Sequence, residues 1–453
     1  MENDRLFETM RPGKALAKMA LPTVASQVII LLYNLADTWF IGRTDDPYKI
    51  AASSLGLTVY LAEVALANVF GVGGGTLAVR LIGEKKTDDA RKVAAYTMTS
   101  CFIAAAVFSL AVLVFATPLL RLLGATDNTL TYSKQYVITT SVIGGIPTVL
   151  SMCMPQLLRN SGYSKSAGIG VALGSAANIA LDPLFMFVIL PEGKEVLGAG
   201  IATALSNFIS MGFFIIMFYR VRKKSVLSLP RKLEKIGSDY KRSFYSVGIP
   251  AAIAIFMFDL VTIVINRLIV SYGDIPLGAM GIVLKLERLP INIGLGVCLG
   301  MVPLVCYNYG SKDFERMNRF VSLARIVILA FSIICSVVFF FFPEQIIGLF
   351  IKDEETVRLG AQYLRGRCFS LPFMMIGYHV VNYMNAVNQG KVSFLMAIIR
   401  HLVLIIPIML LMNLIFGVNG LIWSQLVADS INALIALLIF FKVSNKICSG
   451  GKT

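Results

Sequence analysis

The sequence predicts an all-α membrane protein with twelve transmembrane helices in two six-helix lobes related by pseudo-two-fold symmetry. Three observations predict it: an apolar composition, alternating loop charge and an internal repeat. The 453 residues are 57% hydrophobic and only 15% charged, with a mean hydropathy of +0.75. A soluble chain has about 25% charged residues, so a soluble enzyme or a disordered chain does not fit. A membrane helix needs roughly 20 apolar residues, and this length holds about a dozen.

Twelve apolar runs account for the predicted spans, six on each side of a basic stretch. We therefore expect an N-terminal lobe over 1–220, a cytoplasmic basic linker over 221–242 and a C-terminal lobe over 243–453. The runs cover Ala25–Phe40, Leu55–Leu81, Val93–Leu123, Tyr136–Leu158, Ile169–Leu190, Gly200–Tyr219, Ile249–Val270, Gly278–Val305, Phe320–Phe342, Phe369–Ala386, Phe394–Phe416 and Gly420–Phe441.

The loops between these spans alternate in charge, which explains the net charge of +15 without a nucleic-acid partner. Basic loops mark the cytoplasmic side of a membrane protein. We therefore expect a multi-pass protein of the inner cell membrane with both termini in the cytoplasm, and an even number of spans agrees. The basic loops hold Lys85, Lys86, Arg91, Lys92, Lys165, Lys312, Arg316 and Arg319, and the acidic loops hold Asp45, Asp46, Glu192, Glu195, Asp353, Glu354 and Glu355.

The two halves of the chain look like copies of each other. Several residues recur at one shift of 227 positions, which is hard to obtain by chance. Because each half has six spans, both halves enter the membrane in the same direction. Such a parallel repeat places a site at the interface between the halves. The recurring pairs are Leu122 and Leu349, Thr129 and Thr356, Gln135 and Gln362, Tyr136 and Tyr363, Gly83 and Gly310, and Lys85 and Lys312.

Carboxylates inside apolar spans are the most informative residues for function. An acid at the bilayer centre costs about 2.5–3.5 kcal/mol on insertion scales. Asp37 lies in the first span and Asp182 in the fifth, four residues after Asn178 and so on the same helical face. With Thr203 in the sixth span they offer the oxygen ligands that a proton or a sodium ion prefers. Position alone is equally consistent with Asp37 as an interfacial residue and with Asp182 as an acid at a helix end. The pairing of Asp182 with Asn178 favours a functional site.

Other polar residues in the spans carry weaker signals. Asp259 in the seventh span has Arg267 eight residues on, so a salt bridge is one interpretation. Glu287 stands among basic residues, which indicates either a cavity lining or a self-neutralised group. Glu63 in the second span stays ambiguous. His379 is one of two histidines, and a lone histidine in a helix is more often structural.

Several kinds of chemistry have no support in the sequence. The run Gly71–Gly75 has no following lysine, so it is not a phosphate loop. The seven cysteines form no CxxC pair, so we expect neither a disulfide framework nor a metal centre. No nucleophile, histidine and acid set stands out. We therefore expect a protein that is not an enzyme and has no cofactor.

The chain resembles the multidrug and toxic compound extrusion (MATE) family, particularly its bacterial branch. The resemblance rests on the twelve spans, on Pro22 fifteen residues before Asp37, on Tyr33 one turn before Asp37, and on Asn178 with Asp182. The run Leu-Ala-Asp-Thr-Trp-Phe-Ile-Gly around Asp37 is similar to the family's first helix. The resemblance covers essentially the whole chain.

The resemblance implies a V-shaped antiporter that exports cationic, amphiphilic drugs in exchange for protons or sodium ions. We also expect a monomer in contact with membrane lipids, although the sequence does not give the oligomeric state. The family's cation site maps onto Asp37, Asn178, Asp182, Thr203 and Tyr33.

The family's helix bend maps onto Pro22. Asp259 matches an acid that some members carry in the seventh helix, and with Glu287 and His379 it is a candidate for a C-lobe or substrate site. The tenth span has no acid, which favours coupling through the N-terminal lobe. Oxygen ligands of these types serve both H⁺ and Na⁺, so the coupling ion stays open.

Three other functions fit the sequence less well than the exporter. A flippase for a lipid-linked precursor, from a related branch, would call for a strongly cationic cavity rather than an acidic first helix. A membrane-embedded enzyme lacks a catalytic cluster, and a purely structural membrane protein would not need Asp37 or Asp182.

Overall fold

The structure of the chain is a computed structural model, and it describes residues 4–44, 46–227 and 234–450. In these ranges all regular secondary structure is helical. The first half contains α1 (Asp4–Glu8), α2 (Pro12–Gly42), α3 (Pro47–Gly83), α4 (Thr87–Leu122), α5 (Asp127–Val137), α6 (Gly145–Asn160), α7 (Ser164–Leu184) and α8 (Glu195–Val221). The second half contains α9 (Ser238–Ile269), α10 (Asp274–Gly310), α11 (Phe314–Phe341), α12 (Pro343–Gly348), α13 (Glu354–Cys368), α14 (Leu371–Ala386), α15 (Gly390–Ile398) and α16 (Ile406–Gly450).

Apart from the short α1 and α12, these helices form twelve rods of membrane-spanning length. Eight helices of the described chain are each long and apolar enough to cross a membrane, and the pair α5–α6, bent by 54°, adds a ninth crossing. The continuous helical stretch Gly390–Cys448 has 59 residues, which is enough for two crossings of roughly 20 residues each. It turns at Gly417, whose φ of +59° suits glycine. Helix α9, with 32 residues, and the consecutive helices α13 and α14, with 15 and 16 residues, complete the twelve rods. The predicted all-α, twelve-helix fold is confirmed.

Several helices begin earlier than the apolar runs predict. The first rod begins at Pro12 rather than Ala25, and the fourth begins at Asp127 rather than Tyr136. The tenth begins at Glu354, where the Asp353 carboxylate accepts a hydrogen bond from the Thr356 backbone N–H. Hydropathy detects only the apolar part of a helix, whereas capped polar turns continue it beyond that part.

Two helices of each half form the junction between the halves: α2 packs on α10, and α3 packs on both α9 and α10. The contacts follow the internal repeat. A Cβ on Gly83 would lie 2.1 Å from the Tyr307 carbonyl oxygen, and one on Gly310 would lie 2.2 Å from that of Arg80. Both pairs are related by the shift of 227 residues. Helices α3 and α10 therefore cross with their backbones in direct contact, about a pseudo-two-fold axis.

The end of this junction also holds the N-terminal helix α1. The Phe7 ring stacks on Tyr307 at 4.8 Å between centroids, and the Tyr307 hydroxyl donates to Glu8 Oε1 at 2.6 Å. Lys85 forms an ion pair with Glu8, and its hydrogen bond holds the pKa of Glu8 below the usual value. Glu8 therefore stays ionised at neutral pH, and α1 links the α3 end to the α10 end.

Candidate functional site

A cluster of polar side chains lies inside the first half, between α7 and α8. Asn178 and Asp182 share one face of α7 and are 1% and 0% exposed. The Asn178 amide nitrogen lies 3.4 Å from Asp182 Oδ1 and 3.4 Å from the Thr203 hydroxyl on α8. The i, i+4 spacing thus puts the amide between a carboxylate and a hydroxyl of the neighbouring helix.

Helix α2 adds the second carboxylate. Asp37 interacts electrostatically with Asp182, and Tyr33, one turn earlier, interacts with both acids. Tyr136 on α5 closes the group, because it lies near Thr203 and interacts electrostatically with both acids. The structure thus brings together Asp37, Asn178, Asp182, Thr203 and Tyr33, and adds Tyr136. In the sequence Tyr136 stands out only as a repeat residue, although a tyrosine within an apolar span is a usable signal of a site.

Three side-chain oxygen atoms of the cluster make no hydrogen bond within the described part of the chain. Asp37 Oδ1, Asn178 Oδ1 and Asp182 Oδ2 are buried and have no hydrogen-bond partner in the described chain. Neither carboxylate has a lysine or arginine partner among the described residues. Two acids, an amide and a hydroxyl without a counter-charge suit a proton or a monovalent cation. The described residues contain no group of three His, Cys, Asp or Glu of the kind that holds a metal ion.

Pro22 lies in the part of α2 that packs against α7. A Cβ on Gly168 would lie 2.9 Å from the Pro22 carbonyl oxygen, so the two helices are in close contact there. Pro22 donates no backbone hydrogen bond, and the Ser26 hydroxyl donates to the Pro22 carbonyl at 2.7 Å. The weakened turn of α2 therefore sits directly on the helix that carries Asn178 and Asp182.

The same stretch of α2 faces the second half. A Cβ on Gly296 of α10 would lie 2.6 Å from the Val24 Cα, and one on Gly300 would lie 2.6 Å from the Ala20 Cα. One segment of α2, around Pro22, thus contacts α7 on one side and α10 on the other. A change in the shape of α2 at this segment therefore alters its packing against both α7 and α10.

A cavity of about 380 Å³ lies between the halves. The first half contributes lining residues of α3 and α6, and the second half contributes residues of α9, α10 and α14–α16. Apolar side chains alternate with seven amides: Asn68, Gln156, Asn160, Asn292, Asn382, Asn385 and Asn432. None of the five predicted cation-site residues lines it. The ion cluster and the cavity therefore share none of these residues, and α2 packs on helices that belong to each: α7 of the cluster and α10 of the cavity.

The charged groups on the described cavity wall are arginines. Arg159, Arg288 and Arg400 line it, and none of its described lining residues is an acid. Arg400 is neutralised, because it donates to Asp429 at 2.8 Å and its guanidinium lies 4.9 Å from the Tyr378 ring centroid. The Arg400–Asp429 pair was missed by sequence analysis, which gives no contact between residues 29 positions apart.

Two of the three C-terminal candidates, Glu287 and His379, contact residues of the second half rather than the N-terminal cluster. Arg367 donates two hydrogen bonds of 2.8 Å to the Glu287 carboxylate, and both side chains are 4% exposed. His379 is fully buried, with Nε2 3.0 Å from the Val321 carbonyl oxygen on α11. The side chain of Asp259 lies outside the described residues.

The comparisons with known proteins agree with this architecture. The family model described as MatE matches residues 22–184 and again 250–411, an offset of about 227 residues. The chain is 30% identical over 449 residues to the multidrug export protein MepA of Staphylococcus aureus strain MRSA252, covering 99% of this chain and 98% of that protein. It is 28% identical to MepA of Staphylococcus saprophyticus, with the same two coverages.

Solved structures show the same fold. A crystal structure of MATE in complex with MaL6 superposes with a TM-score of 0.92 at 20% identity, covering 99% of both chains. The outward-facing conformation of a multidrug resistance MATE family transporter of the MOP superfamily gives 0.90 at 20% identity and the same coverage. The family match spans both halves and a relative reaches 30% identity over nearly the full length, so the chain belongs to the MatE family, the multidrug and toxic compound extrusion family that its first helix resembles.

Proposed function

We propose that the chain is an ion-coupled antiporter that exports amphiphilic small molecules by alternating access. The observation that carries the proposal is the buried Asp37–Asp182 cluster with its unpaired oxygens and no counter-charge. The names of the similar multidrug export proteins support the export role. The coupling ion is H⁺ or Na⁺, because carboxylate, amide and hydroxyl oxygens bind either.

The substrate would occupy the cavity between the halves. A mixed wall of apolar groups and amides suits amphiphilic molecules of varied shape. The family resemblance implies a cationic substrate, but Asp37 and Asp182, the acids that would attract a cation, do not line this cavity. Cation preference therefore stays a prediction, and the proposal covers amphiphiles of either charge.

Ion and drug would compete through α2 rather than for the same atoms. Ion binding cancels charge on Asp37 and Asp182 and so changes the cost of packing α2 against α7. Because the Ala20–Val24 segment of α2 also packs on α10, which lines the cavity, each ligand can favour one conformation of the same helix. A ligand shifts such an equilibrium only through unequal affinity for the two states.

The test uses purified protein in lipid vesicles and the fluorescent cation ethidium. Proton and sodium gradients are imposed separately, and transport is followed as dye accumulation. Transport driven by one gradient supports the proposal and names the ion. Equal rates with and without either gradient would overturn ion coupling.

Pro22→Ala is expected to leave equilibrium ion and dye binding nearly intact and to slow transport. The substitution restores a backbone hydrogen bond and removes the ring's clash with the preceding turn, which stiffens α2. Both quantities are measured in one preparation. A variant that loses binding but keeps its transport rate per bound dye would show that Pro22 shapes the site rather than the switch.

Asp259→Asn is expected to impair transport less than Asp182→Asn. The tenth span supplies no acid near the seventh helix, only Tyr378, His379 and Asn382, whereas Asp182 interacts with Asp37. Initial rates of gradient-driven dye transport compare the two variants. Equal loss in both would place the coupling in the C-terminal half.

A flippase of a lipid-linked precursor is the second candidate, and one observation favours it. Arg159, Arg288 and Arg400 on the cavity wall could meet a lipid phosphate. The neutralised Arg400 weakens this reading. Translocation of a fluorescent anionic phospholipid in the same vesicles, lost in Arg159→Gln, would support it, and translocation without protein dependence would exclude it.

A further inference from the structure

Glu63, in the middle of α3, is a buried acid that the N-terminal ion cluster does not use. It is 0% exposed, and neither carboxylate oxygen has a hydrogen-bond partner in the described part of the chain. No described lysine or arginine forms an ion pair with it. An ionised carboxylate in such a place costs far more than the neutral acid. Glu63 is therefore not explained as half of a salt bridge, unlike Glu287 with Arg367.

The surroundings of Glu63 form a cradle built from small and hydroxyl-bearing residues. The Ser109 hydroxyl on α4 is also buried without a partner. A Cβ on Gly145 would lie 3.4 Å from Glu63 Oε1 and 2.3 Å from Ser109 Oγ, so glycine leaves this space open. Ser141 is fully buried and lies near the Glu63 carboxylate. Hydroxyls accept from a carboxylic acid and donate to a carboxylate, so this cradle can serve both protonation states.

The cradle lies at an irregular point of the fold. Ser141 belongs to the π-helical segment Ile138–Ile143, and the chain bends by 54° between this segment and α6, which begins at Gly145. π-helical turns within α-helices are frequent at functional sites. A proton on Glu63 thus changes the charge beside the bend of the fourth rod.

Titratable groups connect Glu63 to the ion cluster. Tyr60, one turn earlier on α3, interacts electrostatically with both Glu63 and Asp37. From α5, the Tyr136 ring packs where a Cβ on Gly56 would lie, 2.3 Å away. The other described groups near the cradle are uncharged: Ser109 on α4, Ser141 in the π-helical segment and Gly145 on α6, while α8 presents Ala204 to Gly144. Asp182 on α7 lies beyond Asp37.

We propose that Glu63 is a second proton-binding site of the first half, distinct from the Asp37–Asp182 cluster. The inference rests on the proposed ion coupling. It holds whether the cluster itself takes H⁺ or Na⁺.

The first test does not depend on transport. Dicyclohexylcarbodiimide reacts with protonated carboxyls in apolar surroundings, and mass spectrometry locates the adduct in the full-length protein. We expect an adduct on Glu63 whose yield falls roughly tenfold for each pH unit above its midpoint, and none in Glu63→Gln. The control Glu354→Gln, an exposed glutamate at the start of α13, should keep the adduct. An unlabelled Glu63, or labelling that stays constant between about pH 5 and pH 9, would overturn the proposal.

The second test counts protons. The reversal potential of ethidium transport gives the number of charges exchanged per dye, and Glu63→Gln is expected to exchange one proton fewer while Glu354→Gln keeps the parent number. An unchanged count in folded Glu63→Gln protein would refute the site. Folding is checked by gel filtration and thermal unfolding. If the parent protein shows no gradient-driven transport, the proposed antiport fails, whereas the pH dependence of labelling still reports on Glu63.

Discussion

Replacing Asp37 with asparagine is expected to abolish ion-driven export while the protein still inserts and folds. The amide has nearly the same shape as the carboxylate, but it takes up no proton and carries no charge to attract Na⁺. Moving one net charge through a membrane potential supplies about 2.3 kcal/mol per 100 mV, which corresponds to roughly fifty-fold accumulation. The variant should lose this accumulation.

The measurement is steady-state ethidium accumulation in vesicles under an imposed gradient. Asp88→Asn is the matched control, because the Asp88 side chain is 89% exposed and makes only a 3.6 Å pair with Arg91. The control should transport like the parent. Normal efflux by the Asp37→Asn protein would remove Asp37 from the coupling site.

Gly310→Val is expected to hold the two halves apart at the α3–α10 crossing. A Cβ there would lie 2.2 Å from the Arg80 carbonyl oxygen, and a backbone atom cannot move aside as a flexible side chain would. Overpacking of this kind costs about 1–3 kcal/mol, and a shift of that size changes a conformational equilibrium about 5- to 150-fold. The transport rate should fall by a factor in this range, because the conformation in which the α3–α10 crossing is closed becomes rare.

Spin labels at positions 86 and 312, in a background without the native cysteines, report the distance across this end. The distribution should move to longer distances in Gly310→Val. Gly281→Val is the control: it lies on the same helix, but a Cβ there meets nothing within 4 Å. An unchanged distance distribution in Gly310→Val would mean that the crossing can absorb the side chain.

The sequence determined the helices of this protein because lipid imposes a simple constraint. Backbone polar groups must be satisfied within each segment, so twelve apolar runs predict twelve helical rods. The repeat at 227 residues likewise predicted paired halves, and the family model matches twice at that offset. The i, i+4 spacing of Asn178 and Asp182 was enough to place them on one face of a helix.

Only the tertiary structure decided which buried polar groups meet. Arg367 holds Glu287 and Arg400 holds Asp429, although these partners lie 80 and 29 residues apart. Hydropathy shows that a residue lies within the membrane, but it does not give the rotation of its helix or the neighbour that the side chain faces. For the same reason, the sequence could not separate the Asp37–Asp182 cluster from the cavity, or show that Glu63 sits without a counter-charge. Those relations arise from how helices from distant parts of the chain pack, and a one-dimensional apolar pattern carries no information about that packing.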